Sequence, residues 1–342
     1  MQRTNTDNPT YYHRVVDCQW ACPAHTNVPG YIRLIAQDRF TDAYMLNRVS
    51  NVFPGILGRT CDRPCEPACR RGRVEDKPVA ICRLKRVAAD HRGEVKHLLP
   101  TAPTQKNGKK VACIGAGPAS LTVANDLMPL GYQVTIFEKL AQPGGLMRIN
   151  IPSFRLPADV LDDEIGYIVD MGVEMRYNST IDSMKALLDS GEFDAVFVGS
   201  GAPKGKELKI PGRFDTDQVF IGIEWLQNIH FGHVTSVGER VLIIGVGNTA
   251  MDCCRSAEAS RRNRREGDRT QDAQVLQGVA VGARGCRGRR GSTSSRTCSR
   301  SASSSRTASS QVWSSISSCS EERNGELHQE VIGPDDHPVR HA

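Results

Sequence analysis

The stretch VACIGAGPASLTVANDLMPLGYQVTIFEK, residues 111–139, constrains the fold more than any other. It reads as a short buried strand, a glycine turn, a helix, and a second strand ending at Glu138. In a G-x-G-x-x-G turn the strand enters the helix tightly, so a pyrophosphate can sit against the free N–H groups of the helix N-terminus. Gly115 and Gly117 fill the first two glycine positions, and Ser120 stands at the third, where a small residue governs helix–strand packing. A carboxylate at Glu138 suits the two ribose hydroxyls of an adenosine. An αβ turn with no ligand is the plainer alternative. The signature returns about 130 residues later in RVLIIGVGNTAMDCCRSAEAS, with Gly245, Gly247 and Ala250 in the turn. Two nucleotide-binding modules are therefore expected. The residue that would choose between NAD and NADP falls in the tail, where no module can be read. EFDAVFVGSGA, residues 192–202, reads as a further strand running into a glycine turn. Between the modules, Gly144 and Gly145 permit close backbone approach to a flat ligand. Arg148 and Arg155 follow them and suit acids or phosphates.

A second feature precedes these modules. GRTCDRPCEPACRRG, residues 58–72, holds Cys61, Cys65 and Cys69 at intervals of four. Disulfides, a zinc knot and an iron–sulfur cluster all use such thiols. The chain has twelve cysteines in 342 residues. It shows no basic stretch leading into an apolar run at its start, so no secretory signal is expected. No run approaches the length of a membrane span. Together these point to a reducing, cytoplasmic setting, where thiols more often ligate metals or do chemistry than form disulfides. Zinc is disfavoured by the lack of paired C-x2-C knuckles.

The chain divides as follows. Residues 1–95 form a helical cysteine-bearing domain and residues 96–109 a linker. Residues 110–237 form a first α/β domain, and residues 238–257 begin a second. Helices are expected from about Pro29 to Gln37, from Thr41 (as N-cap) to Val49, and after Asp76 with Pro78 in the first turn. Residues 258–342 are a Ser/Arg-rich tail with fifteen serines among positions 291–320. Such a composition does not bury enough apolar area to offset its ordering, so no regular structure is expected there. The tail has the look of a GC-rich coding sequence read in the wrong frame from near residues 256–260, and resequencing the gene tests this. Nucleic-acid binding through its arginines lacks aromatic interleaving and is not expected.

These pieces occur together in one family. The stretches CQWACPAHTNVPGYI, FPGILGRTCDRPCEPACRRG, PVAICRLKR, IGAGPAS, GGLMRINIPSFRLP and IGVGNTAMDC resemble, in order, the small subunit of glutamate synthase and its relatives. That family of iron–sulfur flavoproteins includes the N-terminal part of dihydropyrimidine dehydrogenase. The resemblance runs from Asp17 to about Ser256. It implies a multidomain fold: a helical iron–sulfur domain followed by Rossmann-type FAD- and NAD(P)H-binding α/β domains, the second incomplete here. It implies hydride transfer from NADPH or NADH to FAD and single-electron transfer through [4Fe–4S] clusters to a larger oxidoreductase subunit. No protein acid or base is needed for the hydride step. Carried over, Gly115, Gly117, Pro118, Ala119, Ser120 and Glu138 would hold FAD, with Gly144, Gly145, Leu146 and Arg148 lining it. Gly245, Gly247, Asn248, Thr249 and Ala250 would hold the dinucleotide.

The chain departs from the family pattern in two places. Two further cysteines that relatives carry before Cys18 are absent from YYHRVVD. The resemblance then implies one cluster on Cys22, Cys61 and Cys65. Its fourth ligand would come from the PVAICRLKR helix, where relatives can use a non-cysteine group and Cys82 lies about one turn away. Cys18 and Cys69 match a second, incomplete site; they stay open as buried thiols, a degenerate site, or alternates for the fourth position. The second departure is the missing remainder of the NAD(P)H domain and of the returning FAD segment. The alternatives to an electron-input subunit of glutamate synthase type are an input subunit for another oxidoreductase, or a remnant that binds only a cluster or a nucleotide.

Overall fold

The computed structural model describes residues 16–207, 211–238, 240–265, 317–323 and 326–332. The first part is helical: α1 (Asp17–Ala21), α2 (Val28–Ile35), α3 (Phe40–Arg48), α4 (Pro54–Thr60) and α5 (Ile81–Asp90). Helix α2 starts where the Asn27 side chain accepts from the Gly30 amide at 3.0 Å, with proline in the first turn. The expected cap at Thr41 is not used; its hydroxyl accepts instead from the Gly93 amide at 3.0 Å and ties α3 to the chain beyond α5. Helix α5 likewise starts later than Asp76 and Pro78 suggest. Its first turn is held by Glu66, whose Oε1 accepts from the Cys82 amide at 3.1 Å. Val28, Tyr31, Ala43, Ile81 and Ala88 pack with Cys65 and Cys82 in one small core. Inside it the Tyr31 hydroxyl donates to the Ile81 carbonyl at 3.0 Å.

Helices α4 and α5 cross at Gly58. A Cβ there would lie 2.8 Å from the Arg86 Cα, a separation that backbone atoms cannot accommodate. Glycine thus permits the approach that brings Cys61, just past α4, against Cys82 in α5.

The second part is a four-stranded sheet, parallel throughout. Its strands are β1 (Lys110–Ile114), β2 (Gln133–Phe137), β3 (Glu174–Arg176) and β4 (Ala195–Val198), in the order β3-β2-β1-β4. Val111 pairs with Val134 on one side and Ala195 on the other. Helices α6 (Pro118–Leu127), α7 (Leu146–Ile149), α8 (Ala158–Val169) and α9 (Met184–Asp189) connect the strands. The fold class is therefore a helical domain followed by a doubly wound α/β domain. Strand order reverses at β1, between β2 and β4, and ligands of such sheets bind outside the carboxyl ends at that point. The two parts share a core: Val52, Phe53 and Ile56 pack with Val111, Leu161 and Ile165.

Beyond β4 lie α10 (Gly222–His230) and α11 (Asn248–Arg265). Trp225 and Leu226 of α10 bury against Cys253 and Ala257 of α11. The strand expected before the second glycine turn is not formed; residues 240–246 carry only an isolated bridge at Ile243. Among the described residues no strand runs alongside it, so the ladder that would hold it is missing, and Leu242, Ile244 and Val246 are exposed. The tail differs from expectation in two places. Helix α11 continues to Arg265, and β5 (Ser317–Arg323) pairs antiparallel with β6 (Glu326–Ile332). Backbone pairing of this kind does not require an apolar period. The rest of the tail lies outside the described residues.

Candidate functional site

The first glycine turn forms a compact backbone cradle at the carboxyl ends of β1 and β4. Gly115 has φ +90°, and a Cβ on it would lie 2.8 Å from the Gly199 carbonyl oxygen. The glycine pair after β2 lies directly on this turn. The Gly144 amide donates to the Ala116 carbonyl at 2.8 Å, and a Cβ on Gly145 would meet the Gly117 Cα at 3.0 Å. Gly144 and Gly145 themselves adopt φ +123° and +52°, which L side chains rarely take. Five glycines from three chain segments, Gly115 and Gly117, Gly144 and Gly145, and Gly199, thus converge here, where the G-x-G spacing placed only the first two.

Ser120, at the third glycine position, is fully buried on α6. Gly199 faces it; a Cβ on Gly199 would lie 2.1 Å from the Ser120 Oγ. The missing glycine on the helix is thus replaced by a glycine at the end of β4. The Ser120 hydroxyl is left without a partner among the described residues, a buried polar atom in the wall of the cradle.

Glu138 is buried and accepts from the Ala116 amide at 2.7 Å and the Leu140 amide at 2.9 Å. Its carboxylate fastens the turn, each oxygen taking one amide. Pro118 and Ala119 form the first turn of α6, so α6 presents free amides toward the cradle. Leu146 opens α7 beside it. Arg148 is engaged elsewhere. Its Nε donates to the Pro143 carbonyl at 2.5 Å, and its guanidinium pairs with Asp162, so it braces the glycine pair.

The second turn is open. Gly247 has nothing within 4 Å of a would-be Cβ, and Gly245, at φ +124°, has only the Ala250 methyl nearby. Asn248 and Thr249 begin α11. The Asn248 amide donates to the Asp62 carboxylate, which places the second turn beside the cysteine loop. Arg155 joins the same junction: it pairs with buried Asp252 at 2.5 Å and reaches the Thr60 carbonyl at 3.4 Å.

The cysteines gather at the far ends of α4 and α5. The nine cysteines described are free thiols. Cys61 and Cys65 both hydrogen-bond with Cys82, and Cys22 lies within electrostatic range of Cys65. Cys18 and Cys69 pack against the same small core, within electrostatic range of each other. The hydrogen bond with Cys82 and burial push the Cys61 thiol far up. The same Cys82 thiol holds Cys65 below its ordinary value. For Cys82 itself, the Cys61 contact lowers the value, while Cys65 and burial raise it to a net of about 11. Among the described residues no three His, Cys, Asp or Glu close on one point tightly enough for a single metal ion. Four soft thiols around one corner suit a cubane, in which each iron takes one thiolate. The donor set therefore fits a [4Fe–4S] cluster.

Two functional neighbours lie where the sequence reading had nothing. Glu164 of α8 is 1% exposed. Its carboxylate accepts from the amides of Gly55 (2.7 Å) and Ile56 (3.0 Å) and from the Tyr44 hydroxyl (3.0 Å). Burial pushes its carboxyl up, against these donors and the Arg48 charge. It holds the start of α4, the helix that runs into Cys61, onto the α/β domain. Lys85 is buried one turn beyond Cys82. The signal for both was a charge on an apolar stripe: Glu164 among Leu161, Ile165 and Ile168, and Lys85 among Ile81, Cys82, Ala88 and Ala89.

Comparison with known proteins agrees with this arrangement. Residues 12–97 match the family model described as dihydropyrimidine dehydrogenase domain II, 4Fe-4S cluster. Residues 109–265 match the pyridine nucleotide-disulphide oxidoreductase model. The chain is 37% identical over 264 residues to the NADPH-Fe(3+) oxidoreductase subunit beta of Geobacter sulfurreducens, a match covering 74% of this chain and 39% of that protein. It is 38% identical over 276 residues to the NADP(+)-dependent formate dehydrogenase subunit beta of Moorella thermoacetica, covering 73% and 38%. It is 33% identical over 250 residues to the glutamate synthase [NADPH] small chain of Mycobacterium tuberculosis, covering 69% and 51%. The chain thus spans about half or less of the length of these relatives. Its two domains imply a [4Fe–4S] cluster, FAD and NAD(P)H as cofactors, and no helix among the described residues is long and apolar enough to cross a membrane. By domain content, domain order and sequence, the chain belongs to the iron–sulfur flavoproteins related to the glutamate synthase small chain and to dihydropyrimidine dehydrogenase.

Proposed function

We propose that this chain is the NAD(P)H-oxidising electron-input part of a larger oxidoreductase in the reducing cytoplasm. The observation that carries the proposal is the fixed junction between its two halves. Glu164 of the α/β domain holds the start of the helix that ends at the cysteine corner. When bound, FAD would accept hydride from NAD(P)H and the cluster would pass single electrons onward.

The residues then have separate tasks. Gly115, Gly117, Ser120, Gly144, Gly145 and Leu146 form the backbone cradle for FAD. Glu138 fixes its turn and meets the ribose. Arg148, through Asp162 and the Pro143 carbonyl, keeps the glycine pair in its unusual conformation. Gly245, Gly247, Asn248, Thr249 and Ala250 offer the second helix N-terminus to the nicotinamide dinucleotide. Cys22, Cys61, Cys65 and Cys82 hold the cluster, and Cys18 and Cys69 stand beside it. The names of the relatives, each a subunit or a small chain, support a larger subunit as the acceptor. The glutamate synthase large chain is one such acceptor.

Protein purified anaerobically is analysed for iron, acid-labile sulfide, zinc and flavin, then mixed separately with NADPH and NADH. Iron, sulfide and flavin together, with flavin bleaching by one or both nucleotides, support the proposal. Zinc without flavin overturns it, and a cluster without bleaching reduces the chain to a binding remnant.

A further inference from the structure

Lys85 is 5% exposed, and no carboxylate among the described residues lies within ion-pair distance of it. A lysine can bury its apolar stem while its ammonium keeps contact with water. Cys61, Cys65 and Cys82 lie within electrostatic range of it. It follows Cys82 by three residues on α5, so the two side chains share one face of the helix. Its charge acts on Cys61, Cys65 and Cys82 alike, favouring the thiolate at each. The carboxylates at this end of α5 are engaged with other donors: Glu66 accepts from the Cys82 amide, and Asp62 of the cysteine loop accepts from the Asn248 side chain. The site therefore sets a cation without a carboxylate partner beside thiols that a cluster would hold as thiolates.

We propose that the Lys85 ammonium is the built-in counter-charge of the iron–sulfur cluster, a positioning residue that favours assembly on thiolates and raises the cluster's reduction potential. The inference rests on the cluster reading above. A cluster gains one negative charge on reduction, so a fixed positive charge inside the protein stabilises the reduced form more than the oxidised one. An ammonium has no lone pair to offer iron, so Lys85 acts by charge and not as a ligand. The effect on the cluster is electrostatic, and it leaves the flavin cradle untouched.

The test compares Lys85→Met and Lys85→Arg with the unaltered chain, all purified anaerobically. Iron and sulfide are counted, and the cluster's midpoint potential is measured by redox titration followed by electron paramagnetic resonance. Methionine keeps the apolar stem and removes the charge; arginine keeps the charge. The Met variant is expected to lower the potential by at least a tenfold shift in the reduction equilibrium, about 59 mV for a one-electron couple. The Arg variant is expected to stay near the unaltered value. A folded Met variant that loses iron while the Arg variant keeps it also supports the proposal. A Met variant with a full cluster and an unchanged potential overturns it, as does loss of iron from both folded variants. An unaltered chain that takes up no iron or sulfide under reconstitution overturns the cluster reading instead.

Discussion

Replacing Glu164 tests how the two halves are joined. Its carboxylate accepts from three buried donors: the Gly55 amide, the Ile56 amide and the Tyr44 hydroxyl. Glu164→Ala orphans all three at roughly 1–3 kcal/mol each. Relief of the carboxylate's own burial offsets part of this, which leaves a net loss of about 3–5 kcal/mol. Glu164→Gln keeps the shape. Its amide oxygen can serve Gly55 and Tyr44, but its NH2 group then faces the Ile56 amide, so one orphaned donor remains and the loss is about 1–3 kcal/mol. Urea unfolding at neutral pH measures both, read as a shift in midpoint at constant slope. The pH dependence adds a sign. Burial raises the Glu164 carboxyl in the folded state. The folded protein therefore binds that proton more tightly than the unfolded chain. Wild-type stability from this group is greatest below the unfolded carboxylate value, about 4.3, and declines as pH rises toward the folded value. Glutamine does not titrate, so the gap between wild type and Glu164→Gln should narrow as pH rises through that window. An alanine variant within about 0.5 kcal/mol of wild type, or a gap that widens with pH, would refute the reasoning.

Three further outcomes are expected. Gly58→Ala would place a methyl 2.8 Å from the Arg86 Cα, so α4 and α5 must separate; we expect a loss of about 1–3 kcal/mol and less iron per chain, with flavin content unchanged. Gly145→Ala meets the Gly117 Cα at 3.0 Å in a backbone conformation that costs a side chain about 1–3 kcal/mol, so purified protein should carry less flavin at unchanged helicity by circular dichroism. Burial pushes the Asp90 carboxyl up, but Arg59 and Arg86 override it and hold it below its ordinary value. Its contribution is present above the unfolded value of about 3.9 and is lost as pH falls below it; Asp90→Asn should remove that part of the acid sensitivity in pH-dependent thermal melts.

What the sequence made legible was local. The glycine spacing at Gly115 and Gly117, the carboxylate at Glu138 and the parallel sheet all follow from one contiguous stretch. The pairing of Ser120 with Gly199 did not, because it joins positions 79 residues apart; a serine at the third glycine position looks like a defect until the glycine opposite it is known. The strand expected at residues 240–246 shows the reverse case. Its apolar pattern is sound, but a strand forms only against a neighbour, and among the described residues none flanks it. Arg148 and Arg155 were legible as charges near a glycine pair, while their partners Asp162 and Asp252 depend on how α7, α8 and α11 pack. Glu164 and Lys85 carried a readable signal, a charge on an apolar helix stripe, whose meaning came only from what lies opposite: two free helix amides for one, a set of thiols for the other.

The most direct test of an electron-input role is anaerobic titration of the holoprotein with substoichiometric NADPH. Flavin absorbance and the paramagnetic signal of the reduced cluster are followed together. The account predicts that the flavin bleaches and that the reduced-cluster signal grows with it, because the Glu164 junction fixes the cysteine corner to the flavin domain. A flavin that bleaches fully while the cluster stays oxidised, with a cluster that chemical reductant can still reduce, would contradict it.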